Sequence, residues 1–454
     1  MTLITAAFLA GCTPDPTDTE DTTSPWPAIE RAEQRTGDPD AGWQALRYGD
    51  FVGAGVPADT WFDLIGTDTR NLLQREGDSA GLSQSYNLFD APNGVEVVGG
   101  IACFGCHSST LDGEFIVGLG SAFSDYSQND ASTYNLAGGY INATYGADSP
   151  EAEAYWPLWR AVDVLEGQIT TPFAGVNPAF AIERGIAAHR DPQTLDWVEE
   201  PLFAIDDFVL ASDVPAWWHV QKKGGLYYTG QGQGDFVPLL TQTSIVGIED
   251  ADHAADIAEA FSDVLAWMMT LEPPVWPGEI DATRAEEGAE VFAESCSRCH
   301  GTYGEEETYT TWLIPLEEVG TDPAYAQGLT EGDFADWLAE SWYGSGDAII
   351  DPVPGYVAPP LDGIWATAPY LHNGAVPDLV SLLDPDQRPT VWQRSFSSST
   401  YDYDRVGWPW SDSTAGEPGA YDTTQYSYSN QGHEYGAALT LGEREAVLEY
   451  LKTL

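Results

Sequence analysis

Two short segments of the chain combine residue types and spacing that suit one chemistry. Cys103-Phe104-Gly105-Cys106-His107 and Cys296-Ser297-Arg298-Cys299-His300 share the pattern Cys-x-x-Cys-His. Two thiols three positions apart lie on one helical turn and reach the two vinyl groups of a single haem. The His that follows meets the iron from the proximal side. The pattern points to two covalently bound c-type haems: haem 1 on Cys103, Cys106 and His107, and haem 2 on Cys296, Cys299 and His300. A zinc site needs a second ligand pair, and no further Cys-x-x-Cys or His-x-x-x-His stands nearby.

Few other strong iron ligands are available. The remaining histidines are His189, His219, His253, His372 and His433, and the methionines are Met1, Met268 and Met269. Met268 fits the apolar face of a helix, which makes packing its role and leaves no methionine for either iron. The sixth ligand of each haem is then His, a weak ligand or nothing. His253 opens a helix after an acidic turn, and His189 reads as a helix end, where a cationic imidazole is favoured by the helix dipole. His219 follows Trp217 and Trp218 and is the contender at haem 1. Glu114 is near haem 1 in sequence and reads as a solvated loop acid. Lys222 and Lys223 are open to two readings, a solvated pair or partners of haem propionates.

The fifth cysteine has another use. Leu9-Ala10-Gly11-Cys12 follows a short apolar run and resembles a bacterial lipoprotein cleavage site, which makes Cys12 the expected lipidated residue. No Lys or Arg precedes the run, a departure that a start codon placed too far downstream would explain. Residues 13–25 have no aromatic or aliphatic side chain and should form a disordered spacer of roughly 20 Å. Covalent haem attachment independently calls for export, so the chain is expected in the periplasm or on the cell surface. No run of 18 apolar residues occurs, which leaves the lipid as its only hold on a membrane.

The elements that must position the motifs are legible in part. Ile257, Phe261, Val264, Leu265, Met268 and Leu271 recur at helical spacing before Glu272-Pro273-Pro274-Val275-Trp276-Pro277-Gly278 stops the helix. That break divides an N-terminal domain, 26–276, from a C-terminal one, 277–454, after the leader and spacer of 1–25. A helix from about Ala282, with Ala285, Ala289 and Phe292 on one face, runs into the second motif. Thr440 and Glu443 form a capping box ahead of a last helix whose apolar side is Val447, Leu448, Leu451 and Leu454. A helix before the motif and one at the chain end fit the cytochrome c plan, in which the two cross. Gly288 would permit the close approach, with Tyr450 packed over it. Residues 395–436 show no period, but their many aromatics indicate an ordered loop laid over the protein.

The charge balance restricts partners. Seventeen basic residues against 72 acidic ones give a net charge of −55. Such a surface repels nucleic acid and anionic lipid, and attracts a basic redox protein at low salt. The plainer reading is a solvated acidic coat suited to salty surroundings.

The segment Leu361-Asp362-Gly363-Ile364-Trp365-Ala366-Thr367-Ala368-Pro369-Tyr370-Leu371-His372-Asn373-Gly374 resembles the one that follows the second haem in bacterial dihaem cytochrome c peroxidases. The closer resemblance is to the rubber-oxygenase-like dihaem cytochromes. It includes Val97-Val98-Gly99, Leu111-Asp112-Gly113, Gly118-Leu119-Gly120, Asp213-Val214-Pro215-Ala216-Trp217-Trp218, Arg405-Val406-Gly407 and Asn430-Gln431-Gly432-His433-Glu434, and spans about residues 80–454. The resemblance implies that haem 1 is the reactive centre, meeting peroxide or O2, and that haem 2 has six ligands and passes electrons. The methionine that ligates haem 2 in the peroxidases is replaced here by Asp386, and His433 matches the histidine that takes its role in the rubber oxygenases. His433 is thus the expected sixth ligand of haem 2, with His372 its rival. Trp217 and Trp218 either wall the distal pocket of haem 1, as the resemblance implies, or are ordinary core aromatics.

The expected fold is mainly α, two cytochrome-c-like domains with long irregular loops. The expected function is that of an exported dihaem oxidoreductase, served by a small redox partner protein or other electron donor and by a small oxidant. Two alternatives stay open: an electron-transfer cytochrome with both haems six-coordinate, and a haem-based sensor or binding lipoprotein. The substrate is not legible.

Overall fold

The computed structural model describes residues 25–100, 102–128, 131–166, 169–205 and 208–454. Cys12, the apolar leader and nearly all of the spacer lie outside the described residues. Among the described residues no helix is long and apolar enough to cross a membrane.

Six helices reach ten residues or more among those described: α1 Pro39–Tyr48, α2 Ala131–Thr144, α3 Pro150–Leu165, α4 Ala251–Met268, α5 Ala282–Ser295 and α6 Leu441–Leu451. Local chemistry starts them. Asp38, Ser149, Asp250 and Asp281 each accept a backbone N–H in the first turn of their helix, and Pro39 and Pro150 stand at the first helical positions. The Thr440–Glu443 capping box is formed at the start of α6. Helix α4 buries Ile257, Phe261, Val264, Leu265 and Met268.

Glycine makes two close helix crossings. A β-carbon on Gly42 of α1 would overlap the Asp263 carbonyl of α4 and stand 2.9 Å from the Val264 nitrogen. One on Gly288 of α5 would overlap the Ala446 carbonyl of α6 and stand 2.9 Å from Tyr450 Cβ. Each pair meets backbone to backbone, which only a residue without a side chain allows.

The expectation of a mainly α fold with two cytochrome-c-like domains is corrected by the strands. Helix accounts for 38% and strand for 13%, the strand residues being spread over five small sheets. Ala28–Ile29 pairs antiparallel with Thr311–Ile314, which pairs in turn with Tyr356–Val357. Ala348–Ile350 pairs with Gly232–Gly234, and that strand with Gly225–Leu226. Val391–Arg394 runs between Trp410–Asp412 and Ala420–Asp422, and Glu96–Gly99 between Val56–Pro57 and Asn87–Asp90. The fifth is a hairpin, Ser108–Leu111 with Glu114–Val117, turned at Asp112 and Gly113, both at positive φ (47° and 89°).

The first two of these sheets join residues from both sides of position 276. The largest core cluster runs from Leu46 to Tyr356 and includes Phe104 as well as Phe334, Trp337 and Tyr343. A second cluster joins Leu111, Leu119 and Trp218 to Phe292, Trp365, Tyr370 and Val447. The Pro-rich break after α4 ends a helix but does not separate two cores. The loop 395–436 is ordered: Tyr421 stacks on Trp392 with centroids 5.3 Å apart, and its hydroxyl donates to the Asn373 carbonyl at 2.8 Å.

Candidate haem-binding sites

Helix α5 delivers Cys296 to a one-turn helix, Ser297–His300, which carries the second motif. These residues open onto a mostly apolar cavity, with Leu361, Ile364, Leu382, Leu383, Val447 and Leu451 among its walls. Its empty space is about 1440 Å³, open mouth included. Burial pushes the Cys296 and Cys299 thiols up to about 11, and neither is in a disulfide. Among the described residues no three His, Cys, Asp or Glu converge as a metal-ion ligand set.

His300 and His433 face each other in this cavity, with ring centroids 6.1 Å apart at an interplanar angle of 63°. His300 Nδ1 lies 2.9 Å from the Pro359 carbonyl oxygen. Donation there fixes the tautomer and leaves Nε2 as the free acceptor. Burial lowers the His300 pKa. Burial, then the neighbouring His300 and Arg388, pushes His433 down to about 3. Both rings are therefore neutral, as iron ligation requires. A metal–imidazole bond of about 2 Å on each side, with about 1 Å more to each ring centre, gives a separation of about 6 Å. The spacing fits an iron held between the two rings.

His372 lines the same cavity but is engaged. Its ring stacks on Tyr356 with centroids 4.2 Å apart, and its Nε2 lies 3.0 Å from the Tyr356 hydroxyl. Burial pushes His372 down to about 3 as well.

The first motif sits on the short helix Cys103–Cys106. Phe104 is fully buried among Trp43, Trp217 and Trp267. The backbone N–H groups of Gly118 and Ser121 bond back to the His107 and Cys106 carbonyls at 2.8 and 2.7 Å, which ties the hairpin to the motif. Burial pushes Cys103 up to about 12 and raises Cys106, the latter opposed by a hydrogen bond from Tyr126. Burial pushes His107 down to about 4 against the influence of the Pro215 carbonyl. His107 Nδ1 is buried with no well-formed hydrogen bond. Ile101, just before this helix, lies outside the described residues.

Trp217, Trp218 and His219 share a short 3-10 turn, Trp217–Gln221. Trp217 stacks on the His107 ring itself, 4.6 Å between centroids at 24°. Trp218 Nε1 donates to the Asp362 carbonyl at 2.7 Å, and His219 Nε2 lies 2.9 Å from the same oxygen. His219, read from the sequence as the contender at haem 1, instead lines the cavity of the second motif with its Nε2 occupied. His189 Nδ1 is 2.9 Å from the Val198 carbonyl, and its ring stacks on Trp197. His253 takes part in capping α4. Met268 is buried in the main core. Glu114 is exposed.

The two lysines are not a solvated pair. Lys222 makes ion pairs with Asp362 at 2.6 Å and with Glu307, and lies over the Tyr303 ring. Lys223 is buried, donates to the Tyr227 carbonyl at 3.3 Å, and is pushed down to about 8 by burial.

Two further groups were given no role from the sequence. Asp213 lines the cavity, and burial pushes its carboxyl up to about 7 against the pull of its own backbone contacts, Arg394 and Tyr228. Arg388 reaches the loop that bears His433, and all its acceptors there are backbone carbonyls. Acceptors of that kind belong to every residue type, so no side-chain pattern could announce the contact.

A family described as RoxA-like, cytochrome c-like matches residues 355–393. These residues include Pro359, which orients His300, and much of the cavity wall. The uncharacterized protein y4iJ of Sinorhizobium fredii is 33% identical, over 40% of this chain and 41% of that protein. The uncharacterized protein y4iM of the same organism is 26% identical, over 45% of this chain and 51% of that protein. The chain thus spans about half the length of these relatives or less. The match over residues 355–393 supports a relation to cytochromes c and, with it, covalently bound c-type haem.

Proposed function

We propose that the chain is an exported oxidoreductase with two covalent c-type haems, haem 1 meeting peroxide or O2 and haem 2 relaying electrons. The observation that carries this reading is the facing pair His300 and His433, two neutral imidazoles 6.1 Å apart across the cavity beside Cys296 and Cys299. When bound, the haems supply the redox chemistry, and the chain controls access and geometry. His300 and His433 are the residues that would hold haem 2, which would then supply electron transfer. At haem 1, the contender His219 lines the other cavity with its Nε2 engaged, which supports an open position opposite His107. Trp217 stacks on His107, and its neighbour Trp218 donates to the Asp362 carbonyl, which also meets His219 on the wall of the haem 2 cavity.

Export follows from the attachment chemistry, and a lipidated Cys12 would tether the chain to a bacterial membrane. The electron donor is a small, basic redox protein drawn by the acidic surface, with an association rate that falls as salt rises.

Ferric EPR with CO titration of the reduced protein tests the reading. The expected result is one high-spin and one low-spin centre, with CO binding to one haem of two. Pyridine haemochrome of the denatured protein should count two haems, and Cys103→Ala with Cys106→Ala should remove one. Two low-spin centres and no CO binding would establish an electron carrier instead. CO binding without turnover of peroxide or O2 would establish a sensor.

A further inference from the structure

We infer that Arg388 is the positioning residue for His433, a clamp that holds the imidazole in the haem 2 cavity without touching it. The inference rests on the reading of His433 as the sixth ligand of haem 2.

His433 does not stand on regular structure. It is a loop residue at φ +47°, a conformation that L side chains rarely adopt, and it follows Gly432 at φ +76°. Such a backbone persists only where its surroundings hold it. Two sets of contacts do so. On one side the His433 N–H donates to the Val319 carbonyl at 2.8 Å, and a β-carbon on Gly432 would overlap the Gly320 backbone. On the other side lies the Arg388 guanidinium. Its Nη1 donates to the Asn430 and Gly432 carbonyls, both at 2.7 Å, and its Nη2 to the His433 carbonyl at 3.1 Å.

The same guanidinium grips the wall of the cavity. Nη2 also donates to the Leu382 carbonyl at 3.1 Å, and Nε to the Ser381 carbonyl at 3.2 Å. These carbonyls belong to the short helix Leu379–Leu383, and the side chains of Leu379, Leu382 and Leu383 line the cavity. One planar fork thus joins the segment bearing His433 to the wall beside the haem. Lysine, with a single nitrogen, cannot span both.

The clamp is local. The rest of the loop is held by other contacts: Asn373 Nδ2 donates to the Ser427 and Ser429 carbonyls, and Ser429 N–H donates to Asp322. Removing the guanidinium should therefore release His433 and leave the fold and both thioether attachments in place.

The test uses the holoprotein with Arg388→Gln, Arg388→Lys and His433→Ala, read by ferric EPR, CO binding to the reduced protein, far-UV circular dichroism and covalent haem content. Arg388→Gln should convert part of the haem 2 low-spin signal to high-spin and open it to CO, with helix and haem content unchanged. A charge-assisted hydrogen bond is worth enough that losing one corresponds to about tenfold in the open population of the loop. Arg388→Lys should fall between wild type and Arg388→Gln, and it decides the matter if Arg388→Gln does not fold. If His433→Ala opens haem 2 while both Arg388 variants keep the wild-type spectrum and CO response, Arg388 is not the clamp and the ligand reading stands. If His433→Ala itself leaves the low-spin signal intact, the ligand reading falls and takes the inference with it.

Discussion

Gly288→Ala should destabilise the protein although it improves the intrinsic preference of α5 for helix. Replacing glycine by alanine inside a helix contributes about 0.8–1 kcal/mol where nothing obstructs the methyl. At Gly288 the methyl would overlap the Ala446 carbonyl and approach Tyr450 Cβ to 2.9 Å, whereas ordinary contact begins near 3.4 Å. The obstacle is the backbone of α6, which cannot rotate away as a side chain would. Helices α5 and α6 must part or tilt, and overpacking of this kind costs about 1–3 kcal/mol, with a backbone clash at the upper end. The expected net loss is about 2 kcal/mol. Gly139→Ala in α2 is the control, because nothing lies within 4 Å of its β-carbon position and only the gain should appear. Urea unfolding followed by far-UV circular dichroism compares the two on the same chain. Since α5 runs directly into Cys296, the Soret band of haem 2 should shift as well. A Gly288→Ala protein as stable as Gly139→Ala would refute the backbone-to-backbone crossing.

Two other outcomes follow from buried charge. Asp378 is fully buried, pairs with Arg405 at 2.8 Å, and accepts from Trp410 Nε1 at 2.6 Å and Ser381 N–H at 2.7 Å. Asp378→Ala removes the buried carboxylate that three groups bond to, while the partly exposed Arg405 can turn to solvent, and should cost about 1.5–3 kcal/mol in urea unfolding. Asp213, whose carboxyl titrates near 7 in the folded chain against an ordinary 3.8, binds more protons folded than unfolded between those values. Its penalty is absent below about pH 3.8 and grows as pH rises through 7, reaching on the order of 4 kcal/mol at most. Stability should therefore fall from pH 5 to pH 8, and Asp213→Asn should flatten that slope.

What the sequence disclosed was local. The haem motifs, the Thr440–Glu443 box and the Ile257-to-Met268 stripe are each contained within a few turns of chain. The strands were hidden because they are two to four residues long, too short for alternation to show. Their partners are also distant: Ala28 pairs with Trp312, and Ile349 with Gln233. His219 pointed toward haem 1 by its place after the Trp pair, but the Asp362 carbonyl, 143 positions away, takes its Nε2. His372 and His433 were rivals because one lies in the Pro369-Tyr370-Leu371-His372-Asn373-Gly374 segment after the second motif and the other matches a ligand by resemblance. What distinguishes them is a Tyr356 hydroxyl and a backbone at positive φ, neither of which residue type reveals.

The strand pairings across position 276 bear on how the molecule is made. As the nascent chain lengthens, Cys103 and Cys106 emerge long before the residues that complete the core around Phe104. Ala28–Ile29 waits for Thr311–Ile314, and the Phe104 cluster is not closed until Phe334, Trp337 and Tyr356 have arrived. The first pair of thiols thus stays outside a closed core until residues as late as Phe334, Trp337 and Tyr356 are in place. Seating that haem early would furnish a scaffold on which the later segments assemble. A chain cut short before Thr311 would leave Phe104 and the first motif in an open, half-built shell.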